Sequence, residues 1–232
     1  MQKLYLIPIS LAEETPQWVH SSLTDTLKEC QFFLVENVRT ARRFISSLKL
    51  GIAIDSLTFG TLNKDTAKSE VEQFFRSVPI GQHIGLMSEA GCPCVGDPGN
   101  LAVQYAHQYG IRVVPLVGAS SVLLALMASG LNGQNFAFRG YLPIDRQERA
   151  KRIKLLEKES AQHKQTQILI ETPYRNTQLV EALLATLSGA TQLCIAAELT
   201  APTEFVRTLA VSQWREQQPD LHKKPTIYLF QA

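Results

Sequence analysis

The chain has 232 residues, 45% of them apolar and 19% charged, with 13 Gly and 11 Pro. That composition is typical of a soluble globular protein, and the length suffices for one large domain or two small ones with full cores. A net charge of +2 permits a nucleic-acid partner without demanding one, because a dedicated binder concentrates its basic residues on one face. No apolar run approaches bilayer-spanning length, and the start lacks the charged, apolar and small-residue regions of a secretory signal. Cys30, Cys92, Cys94 and Cys194 have no framework spacing, so the expected compartment is the cytoplasm, with thiols reduced and no membrane association.

In chain order, KLYLIPI (residues 3–9) reads as a buried first strand ending at Pro8. Thr15 and Pro16 mark a helix start as N-cap and first helical residue. QFFLVE is a second strand. NVRTARRFISSL then has the helical period in Val38, Ala41, Phe44, Ile45 and Leu48, with Arg39, Arg42 and Arg43 on its other face. AIDSLTF is expected as a third strand, NKDTAKSEVEQFF as a helix and GQHIGLM as a fourth strand. A helix over 101–109, a strand over IRVVP and a helix over ASSVLLALMAS, stopped by Gly130, follow. This alternation predicts a doubly wound parallel sheet of about five strands.

From Asn135 the pattern changes. NFAFRGYLP reads as a strand, followed by a charged helix with an apolar stripe of Ala150, Ile153 and Leu156. Its Arg146, Arg149, Lys151, Arg152 and Lys154 are expected on the helix exterior. TQILIET is a buried strand and NTQLVEALLATL an amphipathic helix. QLCIAAELT and TEFVRTLAV suggest an antiparallel hairpin, and KKPTIYLFQA is a last strand. The expected fold is α/β in two domains: residues 1–117 with a parallel sheet and residues 118–232 with a mixed one, joined rigidly enough to form a fixed cleft.

Chemistry concentrates in IGLMSEAGCPCVGDPGN (residues 84–100), where Gly91, Pro93, Gly96, Pro98 and Gly99 shape a loop between a strand and a helix. PLVGASS and ETPYRNTQ are two further loops after apolar strands. The dinucleotide fingerprint, the P-loop and the nucleophile elbow are all absent. The Cys-Pro-Cys spacing does not suit a metal, and His20, His83, His107, His163 and His222 stand apart. Backbone-lined loops of this kind suit a ligand recognised through main-chain bonds and apolar contacts. S-adenosylmethionine is one such ligand, with other adenosine ligands as alternatives.

LYLIPISL, VENVRTARRF, LMSEAGCPCVGDPGNLAV, GIRVVPLVGASSVLLALMASGL, FAFRGYLP, LIETPYRNTQLV, AAELTAPTEFV and KKPTIYLF are together similar to the tetrapyrrole methylase superfamily of S-adenosylmethionine-dependent methyltransferases. The chain most resembles the branch that 2′-O-methylates a cytidine of 16S ribosomal RNA. The resemblance implies a homodimer of two-domain subunits holding the cofactor in the cleft between domains, with ribosomal RNA or the small ribosomal subunit as partner. It implies cofactor contacts from Pro8, Ala90, Gly91, Cys92, Ala119 and Ser120 in the first domain. In the second it implies Glu171, Thr172, Ala196, Ala197, Pro225 and Thr226. Ile9-Ser10-Leu11, Asn37-Val38-Arg39, Glu89 and Thr172-Pro173-Tyr174 depart from the ribosomal pattern, which points to an altered acceptor side and a shifted substrate.

Methyl transfer to a hydroxyl requires an in-line arrangement and a place for the proton. Candidate acceptors are Glu36, Glu89 and Glu171, with Arg39 expected to hold Glu36 ionised. Arg39, Arg42 and Arg43 are candidates for substrate phosphates. The alternatives are a methyltransferase for a tetrapyrrole or other small acceptor, and a non-catalytic S-adenosylmethionine-binding protein.

Overall fold

Strands buried on both faces need continuous apolar runs, and FFLV and IGLM supply them. In the computed structural model, residues 1–12 and 21–232 are described; Thr15, Pro16 and His20 lie outside the described residues. The chain divides into two units, Met1–Ser120 and Ser121–Ala232.

The first unit contains β1 (Lys3–Leu6), α1 (Ser21–Glu29), β2 (Phe32–Val35), α2 (Val38–Ser47), β3 (Thr58–Thr61) and α3 (Lys68–Ser77), then β4 (Ile84–Met87), α4 (Asn100–Gln108) and β5 (Arg112–Pro115). The strands form a five-stranded parallel sheet in the order β3-β2-β4-β1-β5. β1 is interior: Leu4 pairs with Ile84 on one side and Val113 on the other. Successive residues serve opposite cores, Tyr5 with Phe33 and Ile45, and Leu4 with Leu34, Leu86 and Phe75. The sheet is the expected one, and it brings the carboxyl ends of β1, β2 and β4 side by side, where open α/β sheets take their ligands.

Two expected boundaries move. The third strand begins at Thr58, because Ile54–Ser56 close a 3₁₀ turn in which Ser56 Oγ donates to Ala53 O (2.7 Å). The helix expected from Asn63 begins at Lys68. Asn63 Oδ1 instead accepts from Asp65 N (2.9 Å) in a side-chain-closed turn, and Glu70 Oε1 reaches back to Ala67 N (3.2 Å).

The second unit contains α5 (Ser121–Ser129), β6 (Phe136–Gly140), α6 (Arg146–His163), β7 (Thr166–Glu171), α7 (Asn176–Thr186), β8 (Gln192–Ala197), β9 (Phe205–Ala210), α8 (Val211–Trp214) and β10 (Thr226–Gln231). Its sheet order is β6-β7-β10-β8-β9; only β6 and β7 pair in parallel, and β8 and β9 form the expected antiparallel hairpin. One face packs against α6, α7 and α8 through Ile153, Leu156, Leu179, Leu183, Tyr228 and Trp214. The Trp214 indole is fully buried and donates to Leu193 O (2.8 Å).

The inner stripe of α6 departs from expectation. Its buried residues are Arg149, Ile153, Leu156 and Ser160, while Ala150 is only half-buried. Asp145 Oδ1 caps the helix by accepting from Gln147 N and Glu148 N (both 2.9 Å), and this phase turns Arg149 inward at the position read as exterior.

Candidate functional site

In the first unit, the loops following β1, β4 and β5 are tied together by backbone groups. Ile9 and Gly91 exchange both N–H···O bonds, at 3.0 and 3.1 Å. Gly91 has φ +69°, a conformation that L side chains rarely adopt. The Cys92 thiol donates to Ala119 O (3.2 Å) and lies 3.7 Å from Gly118 O. A Cβ on Gly118 would overlap the Pro8 ring, so that glycine is what lets the two loops touch. Pro8, Gly91, Cys92 and Ala119 thus form one cluster, with Ala90 exposed beside it and Ser120 following it.

Two of the candidate carboxylates meet at the ends of β2 and β4, beside Asp97. Glu36 Oε2 accepts from Glu89 N (3.3 Å), and Glu89 Oε1 accepts from Thr40 Oγ1 (3.3 Å). Burial first, then the Asp97 charge, raises the Glu36 carboxyl above its ordinary range. Asp97 is raised as well, mainly by burial, although the Ser88 hydroxyl bonds it and opposes the shift. The expectation that Arg39 holds Glu36 ionised is therefore corrected: Arg39 is exposed, and among the described residues no ion pair joins the two. Asp97 was missed from sequence; the available signal was an acid between Gly96 and Pro98 in a preshaped loop.

The cysteines of this loop are held as thiols. Burial raises Cys92, and burial with Asp97 pushes Cys94 up to about 11. A thiol held protonated is neither nucleophile nor metal ligand. Among the described residues no group of three or more His, Cys, Asp or Glu could hold a metal, and no helix is long and apolar enough to cross a membrane.

Arg39, Arg42 and Arg43 are exposed on α2. Arg42 Nη2 pairs with Asp55 Oδ1 (3.0 Å), and its guanidinium lies 5.8 Å from the Phe59 ring centre.

In the second unit, three distant stretches meet at one end of the sheet. Thr226 pairs with Glu171 on one side and Ala197 on the other, Ile227 pairs with Ala196, and Pro225 O accepts from Glu198 N (2.8 Å). Glu171, Thr172, Ala196, Ala197, Pro225 and Thr226 are therefore neighbours. The buried Glu171 accepts at Oε1 from Thr172 N (2.7 Å), Arg175 Nε (3.0 Å) and Arg175 Nη2 (2.6 Å). Such a carboxylate is occupied in holding the ETPYR turn.

The loops of the first unit present carbonyls, small side chains and nearby acids rather than a cationic cradle. That donor set fits a neutral adenosine with a sulfonium cation and does not fit a triphosphate.

The architecture, a parallel sheet followed by a mixed one, is shared with solved methyltransferases. The methyltransferase CobJ superposes with a TM-score of 0.64 at 15% identity, over 99% of this chain and 93% of that one. Uroporphyrin-III C-methyl transferase from Thermus thermophilus, complexed with S-adenosyl homocysteine, superposes with a TM-score of 0.59 at 15% identity, over 99% and 97%. No family model matches the sequence. In fold the chain is similar to these methyltransferases, and in sequence to curated methyltransferases as well. The chain is similar to the curated ribosomal RNA small subunit methyltransferase I of Vibrio cholerae, 29% identical over 210 residues, covering 90% of this chain and 69% of the relative. The enzyme of the same name from Buchnera aphidicola subsp. Schizaphis graminum is 25% identical over 229 residues, covering 97% and 76%. A shorter match, to that of Mesorhizobium japonicum, reaches 41% over 128 residues, 55% of this chain and 42% of the relative.

Proposed function

We propose that this protein transfers a methyl group from S-adenosylmethionine to a ribose 2′-hydroxyl of small-subunit ribosomal RNA. The observation that carries the reading is the backbone-tied cluster of Pro8, Gly91, Cys92 and Ala119 beside Glu36, Glu89 and Asp97. The resemblance of the whole chain to enzymes of that substrate class supports it.

When bound, S-adenosylmethionine supplies an electrophilic methyl group. The chain's own part is binding, alignment and proton handling. Gly91 and Ala119 carbonyls, the Cys92 thiol and the Pro8 ring present a neutral surface to the adenosine. On the second unit, Ala196, Ala197 and Thr226 form a small neutral surface of their own, and Glu171 with Arg175 fixes the turn that carries Thr172. Glu36 is the proton acceptor in this reading. One oxygen is bonded to Glu89 N, and its raised proton affinity brings it closer to the operating pH, which favours general-base work. Asp97 tunes that affinity. Arg39, Arg42 and Arg43 offer exposed guanidinium groups to phosphates.

The test is methyl transfer from labelled S-adenosylmethionine to 30S subunits or 16S RNA from cells lacking the protein. Label mapping to a single ribose supports the reading. Label on a tetrapyrrole with none on RNA would transfer it to the small-acceptor class. Tight S-adenosylhomocysteine binding with no acceptor in whole-cell extract would make the protein a binder without catalysis.

A further inference from the structure

The end of the second sheet that carries Glu171 and Thr226 also holds a buried cation without an acid. α6 starts shortly after β6 ends, and β6 runs parallel to β7, so the first turns of α6 lie toward the carboxyl end of β7, the end that carries Glu171. Arg149 lies there, on the stripe that continues through Ile153 into the core shared with α7 and β10. It is 7% exposed, and its Nε is sealed from solvent with no partner among the described residues.

Asn176, the first residue of α7, occupies the same end and the same core face, three residues before Leu179. Its Nδ2 donates to Leu221 O (2.9 Å) and Lys224 O (2.6 Å), while its Oδ1 is buried and unpartnered. Buried polar atoms in folded proteins almost always have partners; the Asn176 oxygen can only accept, so it is the orphaned Arg149 Nε that indicates donor capacity awaiting a bound acceptor.

The acids near this end are already committed. Glu171 is held by Arg175, Glu198 by Lys224 (3.3 Å) and Glu148 by Lys151 (2.8 Å). Asp145 caps α6, and Glu204 Oε2 accepts from Thr200 N (2.7 Å). A guanidinium keeps its charge, and a buried charge needs a counter-charge.

We infer that Arg149 seats an oxyanion, a carboxylate or phosphate, carried by a bound ligand. The inference deepens the methyltransferase reading and rests on it for the ligand's identity. The two sources of that oxyanion are the amino-acid carboxylate of the cofactor and a phosphate of the acceptor.

The experiment compares wild type with Arg149→Met and Arg149→Lys. Without ligand, Arg149→Met melts no lower than wild type, because an unpaired buried charge has been removed. A clear fall in melting temperature would mean that a protein carboxylate already holds Arg149, and would overturn the inference. With ligand, calorimetry against S-adenosylhomocysteine and 5′-methylthioadenosine, which lacks the amino-acid part, separates the sources. A cofactor carboxylate gives about ten- to a hundred-fold weaker S-adenosylhomocysteine binding in Arg149→Met, unchanged methylthioadenosine binding, and partial rescue by lysine. An acceptor phosphate leaves both affinities alone and raises KM for RNA at unchanged kcat. Wild-type values in all these measurements overturn the inference. If wild type neither binds S-adenosylhomocysteine nor methylates RNA, the methyltransferase reading fails on its own. The oxyanion site then stands or falls on whether inorganic phosphate raises the melting temperature of wild type and not of Arg149→Met.

Discussion

Replacing Gly99 with alanine tests the proposition that the loop after β4 is shaped in advance. Gly99 has φ +148°, and a Cβ there would lie 2.5 Å from Cys94 Sγ and 3.2 Å from Leu86 Cδ2. Two costs arise. Holding an L residue in that backbone region costs about 1–3 kcal/mol. The overlap with Cys94, itself at φ +69° and half-buried, adds about 1–3 kcal/mol of overpacking. Together these predict a loss of about 2–6 kcal/mol, or roughly 4–24 °C in melting temperature for a chain of this length. Thermal and urea unfolding followed by circular dichroism measure it. Gly133→Ala is the control, since no heavy atom lies within 4 Å of its added Cβ. The double variant Gly99→Ala/Cys94→Ala separates the terms: it recovers the packing cost and leaves the backbone cost. S-adenosylhomocysteine affinity falls with Gly99→Ala because the loop that carries Gly91 and Cys92 must shift. A Gly99→Ala protein with the stability and affinity of wild type refutes the reasoning.

The remaining predictions concern charge. Arg175→Met strands the Glu171 carboxylate, whose side chain is 2% exposed, and costs about 3–5 kcal/mol in urea unfolding; adding Glu171→Gln recovers most of it. Glu36 and Asp97 both bind protons more tightly folded than unfolded. They therefore favour the native state below the ordinary carboxylate range, and that contribution is lost as pH rises through the raised folded values. Asp97→Asn flattens this dependence in urea midpoints taken across acidic pH. It also moves the acidic limb of methyl transfer to lower pH, because the Asp97 charge no longer raises Glu36. Arg42→Ala leaves the melting temperature unchanged, since Arg42 and Asp55 pair at the surface. It weakens RNA binding and lowers the slope of affinity against salt by about one ion.

The sheets were legible because their signals are local. KLYLIPI and IGLM read as buried strands and FFLV and RVVP as strands from their apolar runs, although RVVP, at the sheet edge, is only partly buried; the Gly/Pro density of residues 91–99 marked the loop that joins Ile9, Gly91 and Ala119. β3 was misplaced because IDS could close a 3₁₀ turn through Ser56, a side-chain choice that apolar patterning does not register. The meeting of Glu171, Ala197 and Thr226 depends on antiparallel pairings across distant strands, so the resemblance implied each residue separately and only the sheet register made them neighbours. Arg149 was read as exterior because an arginine in a charged helix usually is; the phase set by the Asp145 cap decides otherwise. Asp97 escaped notice because its importance lies in the charge it places near Glu36, a distance no spacing along the chain reveals.

The most direct test of the central claim is labelled methyl transfer from S-adenosylmethionine to 30S subunits prepared from cells lacking this protein. The account predicts stoichiometric label at one ribose 2′-oxygen of 16S RNA, abolished or strongly reduced in Glu36→Gln at neutral pH. Absence of transfer to 16S RNA, or label incorporated at an undiminished rate by Glu36→Gln, would contradict it.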